Sequence, residues 1–402
     1  MKNKEVYMKK IKYAILLFLL LLPLKVTAAV PEIDSKNAVL LNLTNNEIIY
    51  EKDKDTVVKV ASLQKIMTAL VAIEKVEDLN STFEVTPGLF NSLDSDLMVL
   101  GLRSGDVVTY NDLLYCTLLK SGADCAYSLA IGVSGSEEEY LKLMNNKAKE
   151  LGLNNTFFKN STGLDAEGQH STVNEMAILL KYALNNKDFK RIISTPNYNV
   201  LSRYNIDGPV SKAKSMGLDY FLGGKTGYTE EAGLCLASYA SYNDVDYLLV
   251  TAGADYGKKN QNFIDQKTIY DYFTTNYSFN TLVHKGDIIT TIKTIYNEKI
   301  EIKAKKDVVM YLNNSIFNSD LDIEYDGIKV LNRKNNKGDK IGTYTIKYKD
   351  KVLYQEDVLN PIKVHFRLSK KLLIVFLVID MSILIHIIIR HIKRKNRRKK
   401  VN

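Results

Sequence analysis

Hydrophobic and polar positions change period several times along the chain, and each change predicts an element. Leu63, Ile66, Met67, Leu70 and Val71 recur at i, i+3, i+4, i+7 and i+8, which predicts a helix with one buried stripe beginning at Ser62. Ahead of it, Val39-Leu40-Leu41-Asn42-Leu43 and Glu47-Ile48-Ile49-Tyr50, joined by Thr44-Asn45-Asn46, read as a β-hairpin. Residues 111–132 are helical in pattern, with a break at Lys120-Ser121-Gly122-Ala123-Asp124. Residues 137–151 form an amphipathic helix ended by Gly152. Residues 172–184 form another, with Ser171 or Thr172 as N-cap and Glu175 near N3. The runs 233–240 and 247–252 read as strands and 263–277 as a helix. Beyond Asn280 the period becomes two: 299–304, 308–312 and 343–348 predict a small all-β unit, with turns at Gly338-Asp339 and Lys349-Asp350.

Two segments are apolar without period. Residues 14–24 follow Lys9, Lys10 and Lys12 and precede Val26-Thr27-Ala28, the pattern of a secretory signal peptide over 1–28; an uncleaved N-terminal anchor is the alternative. Residues 371–389 are nearly continuous hydrocarbon, and at ~1.5 Å per residue they match one bilayer core. Asp380 in their midst costs on the order of 2.5–3.5 kcal/mol on insertion, which the surrounding Leu and Ile offset. The basic tail 390–402 then predicts a stop-transfer segment left in the cytoplasm, with the rest of the chain outside.

Charge supports this division. The net +9 of the 402 residues comes from the two ends: +5 over residues 1–25 and +8 over 390–402, which leaves 26–389 at −4. A mildly acidic globular part is no partner for nucleic acid. Cys116, Cys125 and Cys235 are too few for a disulfide framework and match no metal-site spacing. Each reads as a small buried hydrophobe, with the Cys125 thiol accessible beside the 120–124 break. His170 reads as a cap at a loop or helix start rather than a catalyst.

Candidate chemistry starts at Ser62-Leu63-Gln64-Lys65. Residues three apart are neighbours on a helix, so Lys65 can take the Ser62 proton, provided burial and the helix N-terminus keep the amine neutral. The Ser62 backbone N–H can face a developing oxyanion. Ser121-Gly122-Ala123-Asp124 and Gly224-Lys225-Thr226-Gly227-Tyr228 follow in order. S-x-x-K, an S-x-N-type loop and K-T-G in this order form the pattern of serine penicillin-recognising enzymes.

Flanking residues narrow the match. Ala61-Ser62-Leu63-Gln64-Lys65-Ile66-Met67-Thr68-Ala69-Leu70, Gly163-Leu164-Asp165, Gly168-Gln169-His170-Ser171-Thr172 and Gly224 to Thr229 resemble the low-molecular-mass penicillin-binding proteins, the serine D-alanyl-D-alanine carboxypeptidases. The resemblance implies an α/β (α+β) penicillin-binding-protein/β-lactamase-like domain over 30–278, with an antiparallel sheet flanked by helices and the K-T-G strand at its edge. It also implies a β-rich accessory domain over 279–362 that lifts the site from the membrane. Ser62 would be acylated by a peptidoglycan stem peptide, with Lys65 as base and Ser121 as proton relay to the leaving D-alanine. Lys225 would hold positive charge, Thr226 would bind the terminal carboxylate, and Gly227-Tyr228 would complete the cradle, the Ser62 and Tyr228 N–H groups forming the oxyanion hole. β-Lactam antibiotics would act as covalent inhibitors. No metal or cofactor enters this chemistry.

Three departures stand out. Ala123 occupies the place of the family's asparagine, and a carboxylate at Asp124 lacks the amide donor. The arginine that helps hold the terminal carboxylate is absent, with Lys258 and Lys259 nearby as cations. The family commonly ends in an amphipathic helix on the membrane surface, whereas this chain carries a spanning segment. The rival readings are a non-catalytic peptidoglycan-binding or β-lactam-sensing protein and a serine β-lactamase.

Overall fold

A computed structural model describes residues 29–91, 93, 97–366 and 370–399, so the signal peptide expected over 1–28 lies outside the described residues. The chain separates into two compact units, Met1–Asn276 and Tyr277–Asn402.

In the first unit the predicted hairpin is β1 (Asn37–Asn42) and β2 (Glu47–Lys52). A short 3₁₀ turn, Ala61–Gln64, leads into α1 (Lys65–Lys75). Two short strands, β3 (Thr82–Glu84) and β4 (Val107–Thr109), pair with each other before α2 (Tyr110–Tyr115). A π-helical turn, Cys116–Lys120, continues α2, and α3 (Ala123–Ser134) and α4 (Glu137–Glu150) follow. Next come α5 (Val173–Ala183), capped by the Thr172 hydroxyl, and α6 (Lys187–Ile193). The β5 (Asn197–Val200) and β6 (Tyr204–Asp207) pair, α7 (Pro209–Ser215), β7 (Phe221–Thr229), β8 (Gly233–Tyr242), β9 (Val245–Ala254) and α8 (Gln261–Asn276) complete the unit.

The main sheet is five-stranded and antiparallel in the order β2-β1-β9-β8-β7, which leaves the K-T-G strand β7 at an edge. Its middle strands are buried on both faces, as their nearly unbroken apolar sequence requires. Leu248, Val250 and Ala252 of β9 join the core with α1, α3 and α5. Between them, Thr251 and the Leu249 carbonyl accept from Gln266 of α8 on the opposite face.

One expectation needs correction here. The 62–71 periodicity predicts a single buried stripe, but every residue of α1 from Lys65 to Ile73 is buried. The polar members Lys65 and Thr68 are absorbed by local hydrogen bonds, Thr68 Oγ1 donating to the Ser161 carbonyl at 2.8 Å. Ser62 also sits in the 3₁₀ turn ahead of the α-helix rather than in it.

The second unit is built from strands. Tyr277–Val283 pairs with Val308–Asn313. Ile288–Thr294 lies between Lys299–Lys303 and, in parallel, Val330–Leu331. Lys340–Tyr348 lies between Leu321–Gly327 and Lys351–Leu359. Its own core includes Ile292, Leu331, Ile341, Ile346 and Val358. The chain ends in a helix, Lys370–Lys399. Among the described residues this holds the one segment, Leu372–Lys395, long and apolar enough to cross a membrane.

Candidate active site

The site forms where the 3₁₀ turn carrying Ser62 meets the edge strand β7 and the loop 160–163. Ala61, just before the nucleophile candidate, adopts φ +47°, a left-handed setting that costs an L-residue roughly 1–2 kcal/mol. The surroundings impose it. Gly163, itself at φ +85°, packs so closely that a β-carbon there would lie 2.8 Å from both the Ala61 carbonyl oxygen and Ser62 Cα. From the other side, a β-carbon on Gly227 would lie 3.0 Å from the Ser62 nitrogen. Glycine at 163 and 227 is therefore what lets two backbones close on Ser62.

Lys65 is buried, and its Nζ lies 3.0 Å from Ser62 Oγ and also donates to the Thr162 carbonyl. Burial lowers its pKa to about 7, against the opposing pull of the Asp124 carboxylate. The carbonyl that receives Lys65 is held in place by Asn160. Asn160 Oδ1 accepts from the Gly163 and Thr162 N–H groups at 2.7 and 3.2 Å, and Gln64 Nε2 donates to the Asn160 carbonyl at 2.7 Å. Lys225 is fully buried, with Nζ donating to the Thr226 carbonyl at 2.8 Å. Burial first, and the neighbouring Lys65 charge second, push its pKa well below the usual lysine value.

The second motif folds around a break in the helix. Ser121 ends the π-helical turn at φ +66°, and Gly122 leads into α3. Ala123 is buried, its N–H donating to the Met98 carbonyl at 2.7 Å. Asp124 does not stand in for the missing asparagine. Its carboxylate accepts from the N–H groups of Leu100, Gly101 and Leu102 at 2.9–3.1 Å and so pins that segment over the start of α3. The expectation for two of the cysteines fails: Cys116 and Cys125 form a disulfide, with Cα atoms 6.0 Å apart, and only Cys235 is a free buried thiol. The physical reason is the left-handed turn at Ser121, which folds the chain back and closes a separation of nine residues; counting three cysteines against a framework overlooked a single local bridge. The same bridge accounts for the Cys116, Asp124 and Cys125 cluster, whose sulfurs are consumed by each other and whose carboxylate is taken up by backbone.

The remaining motif residues line two hollows. Thr226 faces one of about 430 Å³ together with Lys212 of α7, a cation that sequence reasoning did not single out. Tyr228 is exposed and stacks on Tyr256, ring centroids 4.2 Å apart, at the border of a cleft of about 790 Å³ also lined by Lys59, Glu230 and Glu231. Lys258 is engaged by Asp34 in an ion pair, and His170 Nδ1 lies 2.8 Å from the Gly168 carbonyl in its own loop. The structure thus brings Ser62, Lys65, Lys225 and Gly227 together, with Asp124 of the second motif close enough to act on Lys65. Missed by sequence reasoning were Asn160, Thr162 and the supporting part of Asp124; the polar run Asn160-Ser161-Thr162-Gly163 was the available signal of a turn.

This arrangement is a serine with a buried amine against an edge strand, and comparison with known proteins gives its class. Residues 24–256 match the family model described as D-alanyl-D-alanine carboxypeptidase. The chain belongs to that family of serine-type peptidases. It is 29% identical to a D-alanyl-D-alanine carboxypeptidase (DacF) of Bacillus subtilis over 81% of this chain and 84% of that one. It is 34% identical to another (DacC) of Escherichia coli over 57% and 58%. The fold is that of penicillin-binding protein 5 from Haemophilus influenzae, with TM-score 0.63 and 20% identity over 83% of this chain and 99% of that one. The carboxypeptidase DacD from Francisella tularensis gives 0.66 and 20% over 86% and 97%.

Proposed function

We propose that the protein removes the terminal D-alanine from peptidoglycan stem peptides through an acyl-enzyme on Ser62. The observation that carries this reading is the Lys65 amine, 3.0 Å from Ser62 Oγ and lowered by burial to about 7, where it can be neutral and accept the hydroxyl proton. Ser62 Oγ attacks the carbonyl between the two D-alanines, and the oxyanion meets the Ser62 and Tyr228 N–H groups. Ser121 passes a proton to the leaving amine, Thr226 binds the terminal carboxylate, and Lys225 supplies positive charge beneath it. A water, activated by Lys65, then releases the shortened peptide. β-Lactams, which mimic the scissile amide, acylate the same serine. The apolar segment within 370–399 anchors the chain as a single span, with the catalytic unit outside and the basic tail inside.

The test is D-alanine release from a D-Ala-D-Ala peptide by the full-length protein in detergent, with mass spectrometry of the penicillin-treated protein to locate the adduct. Ser62→Ala is expected to abolish both release and adduct. Ala123 favours one second reading, a peptidoglycan-binding or β-lactam-sensing protein without turnover. That protein would form the adduct but release no D-alanine, whereas a β-lactamase would hydrolyse penicillin rapidly and stay unlabelled.

A further inference from the structure

The ring closed by Cys116 and Cys125 contains the whole second motif, Ser121 to Asp124. Its two ends are already fixed by other means: Thr117, Leu118 and Leu119 of the π-helical turn are buried, and so are Ala123 and Asp124 of α3. The link between them, Ser121-Gly122, is the one stretch of the ring outside helical structure. It passes over the sulfurs at close range. A β-carbon on Gly122 would lie 2.5 Å from Cys116 Sγ and 3.3 Å from Cys125 Sγ, so this backbone rests directly on the bridge. Ser121 holds a left-handed φ there, its N–H and that of Gly122 both directed to the Cys116 carbonyl.

We propose that the Cys116–Cys125 bridge is a positioning element for the reaction, supporting the Ser121-Gly122 backbone from beneath, so that the oxidised chain acylates readily and the reduced chain slowly. This rests on the reading of Ser62 as the acylated nucleophile and Ser121 as its relay. Reduction by a dithiol breaks the single S–S bond. Two electrons and two protons pass to Cys116 and Cys125, which become thiols, and the dithiol closes to its own disulfide. With the bridge open, Ser121 and Gly122 lose the sulfurs they rest on and keep, among the described residues, only the bonds of their N–H groups to the Cys116 carbonyl and of the Ala123 N–H to the Met98 carbonyl; a displacement of about 1 Å at a relay hydroxyl costs on the order of 100-fold in rate. Asp124 adjoins Cys125 and acts on Lys65, so the loosened loop also changes the field at the amine.

The experiment compares full-length protein in detergent, oxidised and then treated with dithiothreitol, with the thiols freed counted by alkylation and mass. Cys235→Ala in all samples keeps that count clean, and Cys116→Ala/Cys125→Ala gives the bridge-free chain without reductant. The readouts are the rate constant for Ser62 acylation by a fluorescent penicillin, its saturation constant, its pH midpoint and the melting temperature of each form. The expected result is a 10–100-fold lower acylation rate constant in the reduced and bridge-free forms, a nearly unchanged saturation constant and a displaced pH midpoint. Reoxidation is expected to restore the rate in the two-cysteine chain. Rates within twofold of the oxidised protein, measured well below every melting temperature, would overturn the proposal, as would a loss that follows only the unfolded fraction. Absence of any serine-dependent label on the oxidised protein would instead bring down the acyl-enzyme reading, and this inference with it.

Discussion

The two units bury different things. The strand-built unit after Asn276 closes over aliphatic and aromatic side chains; of its buried polar residues among those described, Thr294 serves a local turn and Asn360 donates to the Asn336 carbonyl across the unit. The first unit buries Lys65, Lys225, Asp124, Glu175 and Asp265. The carboxylates there are structural fasteners: Asp265 takes the Ser35 N–H at 2.6 Å and Glu175 takes that of Asn155 at 2.8 Å. The two lysines are different in kind. Among the described residues neither forms an ion pair with a carboxylate, and each gives its protons to a carbonyl or hydroxyl. A buried amine with no carboxylate in contact costs stability, and the pull of Asp124 on Lys65 offsets only part of the cost of burial. Such a cost, tolerated twice in one unit and nowhere among the described residues of the other, is what the proposed chemistry requires.

Four changes test this contrast. Lys65→Met, which keeps the volume and removes the amine, is expected to lower penicillin acylation by at least about 1,000-fold. The same change is expected to raise the melting temperature by a few degrees, since replacing a buried ion with an apolar side chain of like size stabilises by about 1–4 kcal/mol. The folded chain binds the Lys65 proton less tightly than the unfolded chain, so wild-type stability rises with pH from about 7 toward the usual lysine value. The thermal advantage of Lys65→Met is therefore largest below pH 7 and shrinks above it. Next in size, the wild-type acylation rate is expected to fall about tenfold per pH unit below about 6.5 and to level off above about 7.5, as the neutral amine fraction dictates; a flat profile would contradict Lys65 as base. Gly163→Ala places a β-carbon 2.8 Å from Ser62 Cα at a positive φ and should slow acylation by about 10–100-fold. Smallest in effect on rate is Ile346→Ala in the second unit. It should cost that unit about 2–5 kcal/mol on unfolding by denaturant yet leave acylation within twofold.

Much of the first unit was legible because its periods are clean. The hairpin, the 137–151 helix and the Thr172 cap fall within a residue or two of their sequence patterns, since short-range hydrogen bonding and amphipathic spacing decide them. Segments whose structure depends on partners distant in sequence were not. The α6 helix, the β5–β6 pair and α7, between Lys187 and Ser215, carry no strong period of their own and are shaped by contact with α2, the π-helical turn and β7. At the site, the residue types that the proposed chemistry uses were visible in order along the chain. Of the residues that hold them, Asn160 acts through N–H groups two and three positions on, a turn the polar run could have signalled, whereas Asp124 acts through Leu100–Leu102, 22 to 24 positions back, where no spacing rule reaches. The cysteine bridge was hidden for the same reason, since it depends on one left-handed residue.

Two ammonium groups side by side in a dry interior repel each other, and the pair formed by Lys65 and Lys225 is therefore a two-seat acceptor that favours a single proton. Where that proton rests is decided by whatever anion is present. On the proposed reading, a carboxylate docking at Thr226 would draw it to the Lys225 seat and empty the one beside Ser62. The ligand to be cut would thereby prime the group that cuts it, and an uncharged amide of the same shape would find the seat still taken.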